Sequence, residues 1–328
     1  MTRRPAVSVV VTSRNDDRGG GMLHRMQVFM NGLLRQADQH RLPLELIIVE
    51  WNPPAGAKRL AEVVNCAAAG PECRVRFIEV PAAVHAKVPH ADRIALFQFI
   101  AKNVGIRRAA GDYVLATNLD VLLSPALMAF LASDRLSPDC FYRVDRYDVE
   151  GRVPSDADIG AQLDYCAAHV VLVHSVRGMH KPTLATALAR WFSNRFGVDP
   201  SAGAIHTQAC GDFTLMAREQ WHTLGGYPEL PSHAYVDGLL CYMAASSGLR
   251  QVILQEPHRV YHQEHAGMFL GSSDERPVMD YQQYRAWCEE MVRTRRPLHV
   301  NGDDWGFGRE SFKEFEMRGR AQNQGGID

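Results

Sequence analysis

Asn118 and Asp120 are the residues whose types and spacing most directly suggest chemistry. They follow an apolar run in the segment YVLATNLD. Side chains two positions apart on an extended backbone point the same way, so both oxygen-bearing groups are expected on one side. Hard divalent cations prefer oxygen ligands, and Mg²⁺ commonly uses one or two protein carboxylates together with substrate phosphates. The spacing predicts a small cation site, although the same pattern is also typical of a turn or a helix cap.

A second group of candidate ligands lies in the segment HRVYHQEH, which contains His262, Glu264 and His265. On a strand, His262 and Glu264 share one face, whereas His265 lies on the other face or in the following loop. Such a segment offers one or two metal ligands but not the full set of a closed tetrahedral zinc site. The alternative interpretation is a set of hydrogen-bonded surface histidines.

Two aspartates are candidates for proton transfer. Asp212 lies in GDF and Asp237 lies in YVDG. A general base must be held within reach of the hydroxyl whose proton it accepts, and either carboxylate meets that requirement if it lies in a cleft. The alternative role for each is a helix cap or a salt-bridge partner.

The elements that must position these residues alternate along the chain. β-branched and apolar runs predict strands, and apolar residues at helical spacing predict helices. The predicted strands are 7–12, 44–50, 75–80, 113–116, 141–144, 170–173, 213–216, 251–254 and 260–262, and the predicted helices are 22–37, 58–68, 93–109, 125–132, 218–224, 235–246 and 280–294. The early strand-helix alternation predicts an α/β fold with a Rossmann-like, mostly parallel sheet flanked by helices.

Polar residues end three of the early strands. They occupy 13–16, 50–52 and 118–120. Any one of these groups is typical of a turn, but ligands of open α/β sheets bind in the crevice outside the carboxyl ends of the strands. Three polar groups at three strand ends therefore indicate a binding site at that edge.

Composition narrows the classes of partner. Lys and Arg total 36 and Asp and Glu total 37, giving a formal net charge of −1. This balance provides no general attraction to nucleic acid or to an anionic membrane, so an anionic ligand must be held by local groups. The seven scattered cysteines lack a CxxC pair and indicate reduced thiols.

The sequence shows no signal for membrane insertion. It contains no run near the roughly 20 apolar residues of a membrane span, and its first apolar run is short for a signal peptide. These features predict a cytoplasmic protein, with peripheral membrane contact left open.

Taken in order, these segments resemble the GT-A glycosyltransferases of the family 2 kind. VSVVVTSRNDD resembles the first strand and nucleotide loop, and IIVEWNPP resembles the second strand end in the form seen in exostosin-like transferases. AKNVGIRRAAGDYVLATNLD resembles the stretch that leads to the DxD motif. The strand, helix and turn that line the acceptor side in the family resemble CGDFTLMAREQWHTLGGYPEL. The family's ED-type catalytic acid corresponds to AYVDGLL, and its late metal-binding histidine corresponds to YHQEH. The resemblance covers 7–265.

The resemblance implies roles on the nucleotide side. Thr12, Arg14 and Glu50 would hold the base and ribose of a nucleotide-sugar. Arg93 and Lys102, together with Arg14, would supply positive charge to the leaving diphosphate, whose negative charge grows in the transition state.

The resemblance also implies a metal site and a base. Asp120, with Asn118 nearby, would face the diphosphate and a Mn²⁺ or Mg²⁺ ion, and His265 or His262 would complete the metal shell, with His265 favoured. Asp237 would be the general base. The chain departs from the family where Asn118 replaces the first aspartate of DxD and where VD replaces ED.

The domain organisation follows from the same resemblance. Residues 1–270 are interpreted as one GT-A domain, and 271–328 as a C-terminal helix and tail. Within the domain, 1–123 would form the nucleotide-binding half, 124–210 an insertion that shapes the cleft, and 211–270 the acceptor and catalytic half.

The implied function is transfer of a sugar from a UDP- or GDP-sugar to an acceptor, an activity of the EC 2.4 type. The transfer would be inverting and metal-assisted, and the acceptor would be a glycan, a lipid-linked molecule or a small molecule. One alternative is a sugar nucleotidyltransferase, although its GxGTRxxPxTxxxPK-like loop is missing after the first strand. The other is a non-catalytic protein that binds nucleotide-sugars or glycans, which agrees with the incomplete DxD motif.

Overall fold

The computed structural model describes residues 4–17, 19–183, 186, 203–232, 234–265 and 279–318, within which strands and helices alternate. The strands are β1 (Val7–Ser13), β2 (Leu44–Trp51), β3 (Cys73–Val80), β4 (Tyr113–Ala116), β5 (Val121–Leu123), β6 (Cys140–Val149), β7 (Val170–Ser175), β8 (Gly178–His180), β9 (Thr214–Ala217), β10 (Arg250–Gln263) and β11 (Lys313–Arg318). The helices are α1 (Met22–Gln39), α2 (Leu60–Val63), α3 (Ala82–His85), α4 (Gln98–Arg107), α5 (Pro125–Leu131), α6 (Ile159–Ala168), α7 (Arg218–Leu224), α8 (Val236–Ser246) and α9 (Tyr281–Thr294), and Cys210–Asp212 forms a 3₁₀ turn.

The eleven strands in the described part of the chain belong to one sheet. The main order is β11-β3-β2-β1-β4-β9-β6-β10-β5, and β7 and β8 extend from β6. The main sheet is mixed. One strand direction is shared by β1, β2, β3, β4, β6 and β10, and the opposite direction by β5, β9 and β11. The structure confirms the predicted fold class, a mostly parallel α/β sheet flanked by helices.

Alternation along the central strands explains why helices cover both faces of the sheet. Val9 and Val11 of β1 belong to one buried apolar cluster together with Phe29 of α1. Val10, between them, belongs to the cluster on the other face together with Val104 of α4. Strands buried on both faces are expected to be almost continuously apolar, as β1 is.

Three strand predictions were wrong in extent. The strand predicted at 141–144 continues to Val149, because Arg146 and Asp148 find charged partners inside the fold and need no solvent. The strands predicted at 251–254 and 260–262 form the single strand β10, whose register against β6 shifts between Leu254 and Arg259.

Several helix boundaries also differ from the prediction. The helix predicted at 93–109 begins only at Gln98, and the one predicted at 58–68 is confined to Leu60–Val63. α6 was not predicted, because its polar surroundings suggested an irregular insertion. Its buried residues Ile159, Leu163 and Cys166 nevertheless follow helical spacing.

The topology sets the position of the candidate site. β2, β1 and β4 are adjacent and parallel, so their carboxyl ends lie at one edge. β10 ends at the same edge, and it pairs there with β5, which follows the TNLD segment. None of the helices in the described ranges has both the length and the apolarity that a membrane crossing requires.

Candidate active site

Asp120, His262 and His265 lie together where β10 meets β5. His262 is opposite Val121 in the antiparallel ladder, and the Gln263 amide donates a hydrogen bond of 2.9 Å to the Asp120 carbonyl. Asp120 Oδ2 lies 3.8 Å from His262 Nε2 and 3.4 Å from His265 Nε2. The structure therefore brings both candidate histidines to the carboxylate, rather than one or the other.

The chemistry of this group suits a divalent cation. One atom from each of the three side chains lies within 4.8 Å of the others, a separation that one ion can span. Asp120 is only 8 % exposed, and its buried Oδ1 accepts no hydrogen bond within the described structure. An unbonded buried carboxylate oxygen is costly unless it coordinates a cation. A carboxylate and two imidazoles also leave coordination positions open for substrate oxygens.

Asp148 pairs with Nδ1 of His262, the ring nitrogen that does not face Asp120. Asp148 Oδ1 lies 3.3 Å from His262 Nδ1, and Oδ2 lies 2.7 Å from His174 Nε2. Burial alone would lower the pKa of His262, but Asp120 and Asp148 raise it above its ordinary value. A carboxylate on Nδ1 is the usual means of orienting a histidine whose Nε2 faces a metal. Asp148 was missed in the sequence. The alternation of polar Arg146 and Asp148 with apolar Tyr147 and Val149 indicates a strand but not the contact with His262.

Asn118 bridges Lys102 and Asp212 through the two ends of its side-chain amide. Its Oδ1 accepts hydrogen bonds from Lys102 Nζ at 2.8 Å and from Gln98 Nε2 at 2.7 Å. Its Nδ2 donates to the Asp212 carboxylate. An aspartate at this position would place two carboxylates in contact, whereas the amide both accepts from the lysine and donates to Asp212. This arrangement leaves Asp120 as the carboxylate that faces the histidines.

Lys102 brings a buried positive charge to the same region. Its side chain is fully buried, and Nζ also donates to the Gly211 carbonyl at 2.8 Å. Burial lowers the pKa of Lys102 to about 8, with Asp212, Asp237 and Asp120 opposing the shift. Lys102 is therefore predominantly protonated at neutral pH.

The two candidate bases differ in what surrounds them. Both Asp212 oxygens are engaged, one by Asn118 and the other by Arg146 at 2.6 Å. Burial opposes the shift, but Arg146 and other cations lower the pKa of Asp212. Asp237 is the second residue of α8, and within the described residues its two oxygens accept only from backbone amides, Gly211 at 2.7 Å and Gly238 at 3.0 Å. Asp237 also lines a cavity of about 660 Å³. Of these two carboxylates, Asp237 is the one that lines this cavity.

Thr12, Arg14 and Glu50 lie together at the ends of β1 and β2. Thr12 Oγ1 donates to the Val49 carbonyl at 3.0 Å, and Arg14 Nε donates to the Asn52 carbonyl at 2.7 Å. β1 lies between β2 and β4, and Asp120 follows the end of β4 by four residues, beside β5 and β10.

Arg93, which was also predicted as a site residue, lies in the loop before α4. Its side chain is exposed and contacts His90 of the same loop. That loop is joined to the end of β2, because Asn52 Nδ2 donates to the Ala95 carbonyl at 3.3 Å.

Glu50 is buried at the nucleotide side and is expected to make folding pH-dependent. Its Oε2 accepts from the Leu60 amide at 3.0 Å, and burial raises its pKa from 4.5 to about 7. The folded protein therefore holds a proton that the unfolded chain releases, so this residue's contribution to stability falls as pH rises from about 4.5 through 7.

Glu50→Gln mimics the protonated form. We expect little change at pH 5 and a gain of about 1–2 kcal/mol in the free energy of unfolding at pH 8. Urea denaturation at the two pH values measures this difference. Glu72→Gln is the control, because Glu72 is exposed. Equal effects of Glu50→Gln at both pH values would contradict the assignment of a raised pKa to Glu50.

The comparisons with known proteins give structural matches only. No protein-family model matches the chain, and no curated protein matches it in sequence. One similar structure is GalNAc-T7 with UDP, GalNAc and Mn²⁺, at a TM-score of 0.48 and 12 % identity over 88 % of this chain and 50 % of that chain. Another is S. aureus TarS 1-349 in complex with UDP-GlcNAc, at a TM-score of 0.46 and 14 % identity over 88 % of this chain and 65 % of that chain.

This chain therefore spans half to about two thirds of those two chains. At TM-scores below 0.5, the likeness carries no argument about activity. The function must follow from the geometry of this chain's own residues.

Proposed function

We propose that this chain is a GT-A-type glycosyltransferase that uses a nucleoside-diphosphate sugar and a divalent cation. The observation that carries the proposal is the convergence of Asp120, His262 and His265 at the sheet edge where β1 and β2 also end. Ligands of open α/β sheets bind at this edge. The Thr12, Arg14 and Glu50 group supports binding of the base and ribose beside it.

The cation would be held by Asp120, His262 and His265. Mn²⁺ fits this set better than Mg²⁺, because Mg²⁺ strongly prefers oxygen ligands and two of the three atoms are imidazole nitrogens. When bound, the ion would neutralise charge on the diphosphate leaving group. Asp148 would keep His262 oriented, and the buried Lys102 ammonium would add positive charge near the same group.

Asp237 would complete the transfer as general base. A hydroxyl oxygen of the acceptor attacks the anomeric carbon, the bond from that carbon to the diphosphate oxygen breaks, and the hydroxyl proton passes to Asp237. Attack from the side opposite the leaving group inverts the anomeric centre. The position of Asp237 in a cavity large enough for a ligand supports this role.

Product analysis distinguishes this activity from its alternatives. The protein is incubated with UDP- and GDP-sugars and Mn²⁺, and the nucleotides are separated by chromatography. A transferase releases the nucleoside diphosphate by transfer or by slow hydrolysis. Pyrophosphate exchange without diphosphate release would indicate a sugar nucleotidyltransferase, and binding without either product would indicate a non-catalytic protein.

A further inference from the structure

α8, α9 and the segment at 207–208 enclose a cavity of about 660 Å³ whose wall is unusually rich in tyrosine. We infer that this cavity binds a neutral glycan by stacking sugar rings on tyrosine rings, and that this glycan is the acceptor. The acceptor role rests on the proposed transferase function, whereas the binding of a glycan does not. The lining tyrosines are Tyr235, Tyr242, Tyr281 and Tyr284.

The four rings form one continuous aromatic surface. Tyr235 and Tyr284 are stacked, with ring centroids 5.0 Å apart and planes at 21°. Tyr281 lies 6.1 Å from Tyr284 and is 56 % exposed, and Tyr242 meets Tyr284 edge-on at 6.5 Å. The negative face of an aromatic ring attracts C–H groups, and the phenol hydroxyls provide hydrogen bonds at the rim. A pyranose ring has both features, an apolar C–H face and a rim of hydroxyl groups.

Two backbone features maintain this surface at a cost in stability. Tyr235 has φ of 69°, in the left-handed region that is unfavourable for a bulky side chain. At Gly238, an added Cβ would lie 2.7 Å from Tyr284 Oη, so only glycine lets that ring pack so closely against α8. Strained conformations of this kind are concentrated at binding sites.

The charges around the cavity favour a neutral ligand. Arg285 is paired with Glu289 at 2.8 Å, and Arg293 is paired with Glu290 at 2.6 Å. Both arginines of the wall are therefore compensated within α9, and Asp237 adds a negative charge. These pairs leave no uncompensated cation in this wall to attract a phosphate or an acidic sugar. A neutral sugar needs no such cation.

Asp237 links this cavity to the proposed chemistry. Its carboxylate lines the cavity and is also hydrogen-bonded to Gly211, whose carbonyl accepts from Lys102. A glycan stacked on the tyrosines would therefore have a hydroxyl group close to Asp237, the proposed base. Through Gly211, this carboxylate connects to the buried Lys102.

The test measures glycan binding by isothermal titration calorimetry on the whole chain. The probes are neutral hexose and N-acetylhexosamine oligosaccharides, with glucuronate-containing oligosaccharides of the same length for comparison. A neutral probe is expected to bind, and Tyr281→Ala is expected to raise its Kd about tenfold, whereas Tyr281→Phe keeps the ring and changes Kd about twofold or less. Tyr281 is exposed, so both variants should fold. Met179→Ala is the control, because Met179 is 61 % exposed and does not line the cavity.

The outcomes separate this inference from the proposed function, because nucleotide-sugar binding is measured on the same wild-type protein. Binding of UDP- or GDP-sugar without binding of any neutral glycan would overturn the inference alone. Preference for the acidic probes, or an equal effect of Tyr281→Ala and Met179→Ala, would also overturn it. Neutral glycan binding without any nucleotide-sugar binding would support the cavity as a glycan site and remove its acceptor role.

Discussion

Asp120→Asn is expected to lower nucleotide-sugar turnover about 10³-fold, because cation stabilisation of a leaving group contributes several kcal/mol. Asp120 supplies the one carboxylate of the three-residue group with His262 and His265. The asparagine has nearly the same shape but lacks the charge that holds the ion. Release of nucleoside diphosphate across a Mn²⁺ titration measures the effect, and removal of the metal from the wild type with EDTA should produce a similar loss.

A matched control separates this effect from a general loss of negative charge. Asp112→Asn changes an aspartate whose partner is Arg4 at an exposed surface, and it should retain full activity. Circular dichroism establishes that both variants are folded. Wild-type turnover that resists EDTA, or an active Asp120→Asn variant, would exclude a metal role for this residue.

Asp237→Asn is expected to lower the rate of transfer about 10³-fold, in the range found for loss of a general base. Donor binding should be preserved, because Asp237 is on helix α8, whereas Thr12 and Glu50 of the proposed nucleotide group are on β1 and β2. The variant should therefore lose kcat while the KM for the donor stays close to the wild-type value. Initial rates at several donor concentrations measure both quantities.

Asp212→Asn provides the comparison for Asp237. It breaks a buried ion pair with Arg146, so we expect a loss of about 3–5 kcal/mol in the free energy of unfolding. Its signature is thus a lower melting temperature, whereas that of Asp237→Asn is a lower kcat in a stable protein. If Asp212→Asn remains stable but inactive while Asp237→Asn transfers sugar normally, the base has been assigned to the wrong residue.

The sequence predicted the parts of the fold whose apolar pattern is local. β1 and β4 are short apolar runs that end in polar turns, and α7 was predicted with its observed bounds. Asp120 and the two histidines, which the structure brings together, were candidates from the sequence because residue types that suit a cation stood beside strand signals.

The remaining features depend on contacts distant in sequence. Asp148 is a polar residue in a stretch that suggested a loop, and its partner His262 lies on another strand. The bridging role of Asn118 depends on Asp212, 94 residues away. No local pattern encodes such pairs, since each residue is stabilised only when the sheet brings its partner into contact.

The most direct test of the proposed function is a thermal melt of the wild-type protein with each nucleotide-sugar, with and without Mn²⁺. A ligand that binds only the folded state raises its melting temperature, and a ligand concentration of about 100 times Kd corresponds to a shift of about 4 °C for a chain of this size. We predict that a UDP- or GDP-sugar produces such a shift and that the shift is largest with Mn²⁺ present. An unchanged melting temperature with every donor, with or without the ion, would contradict a diphosphate-sugar site at this edge of the sheet.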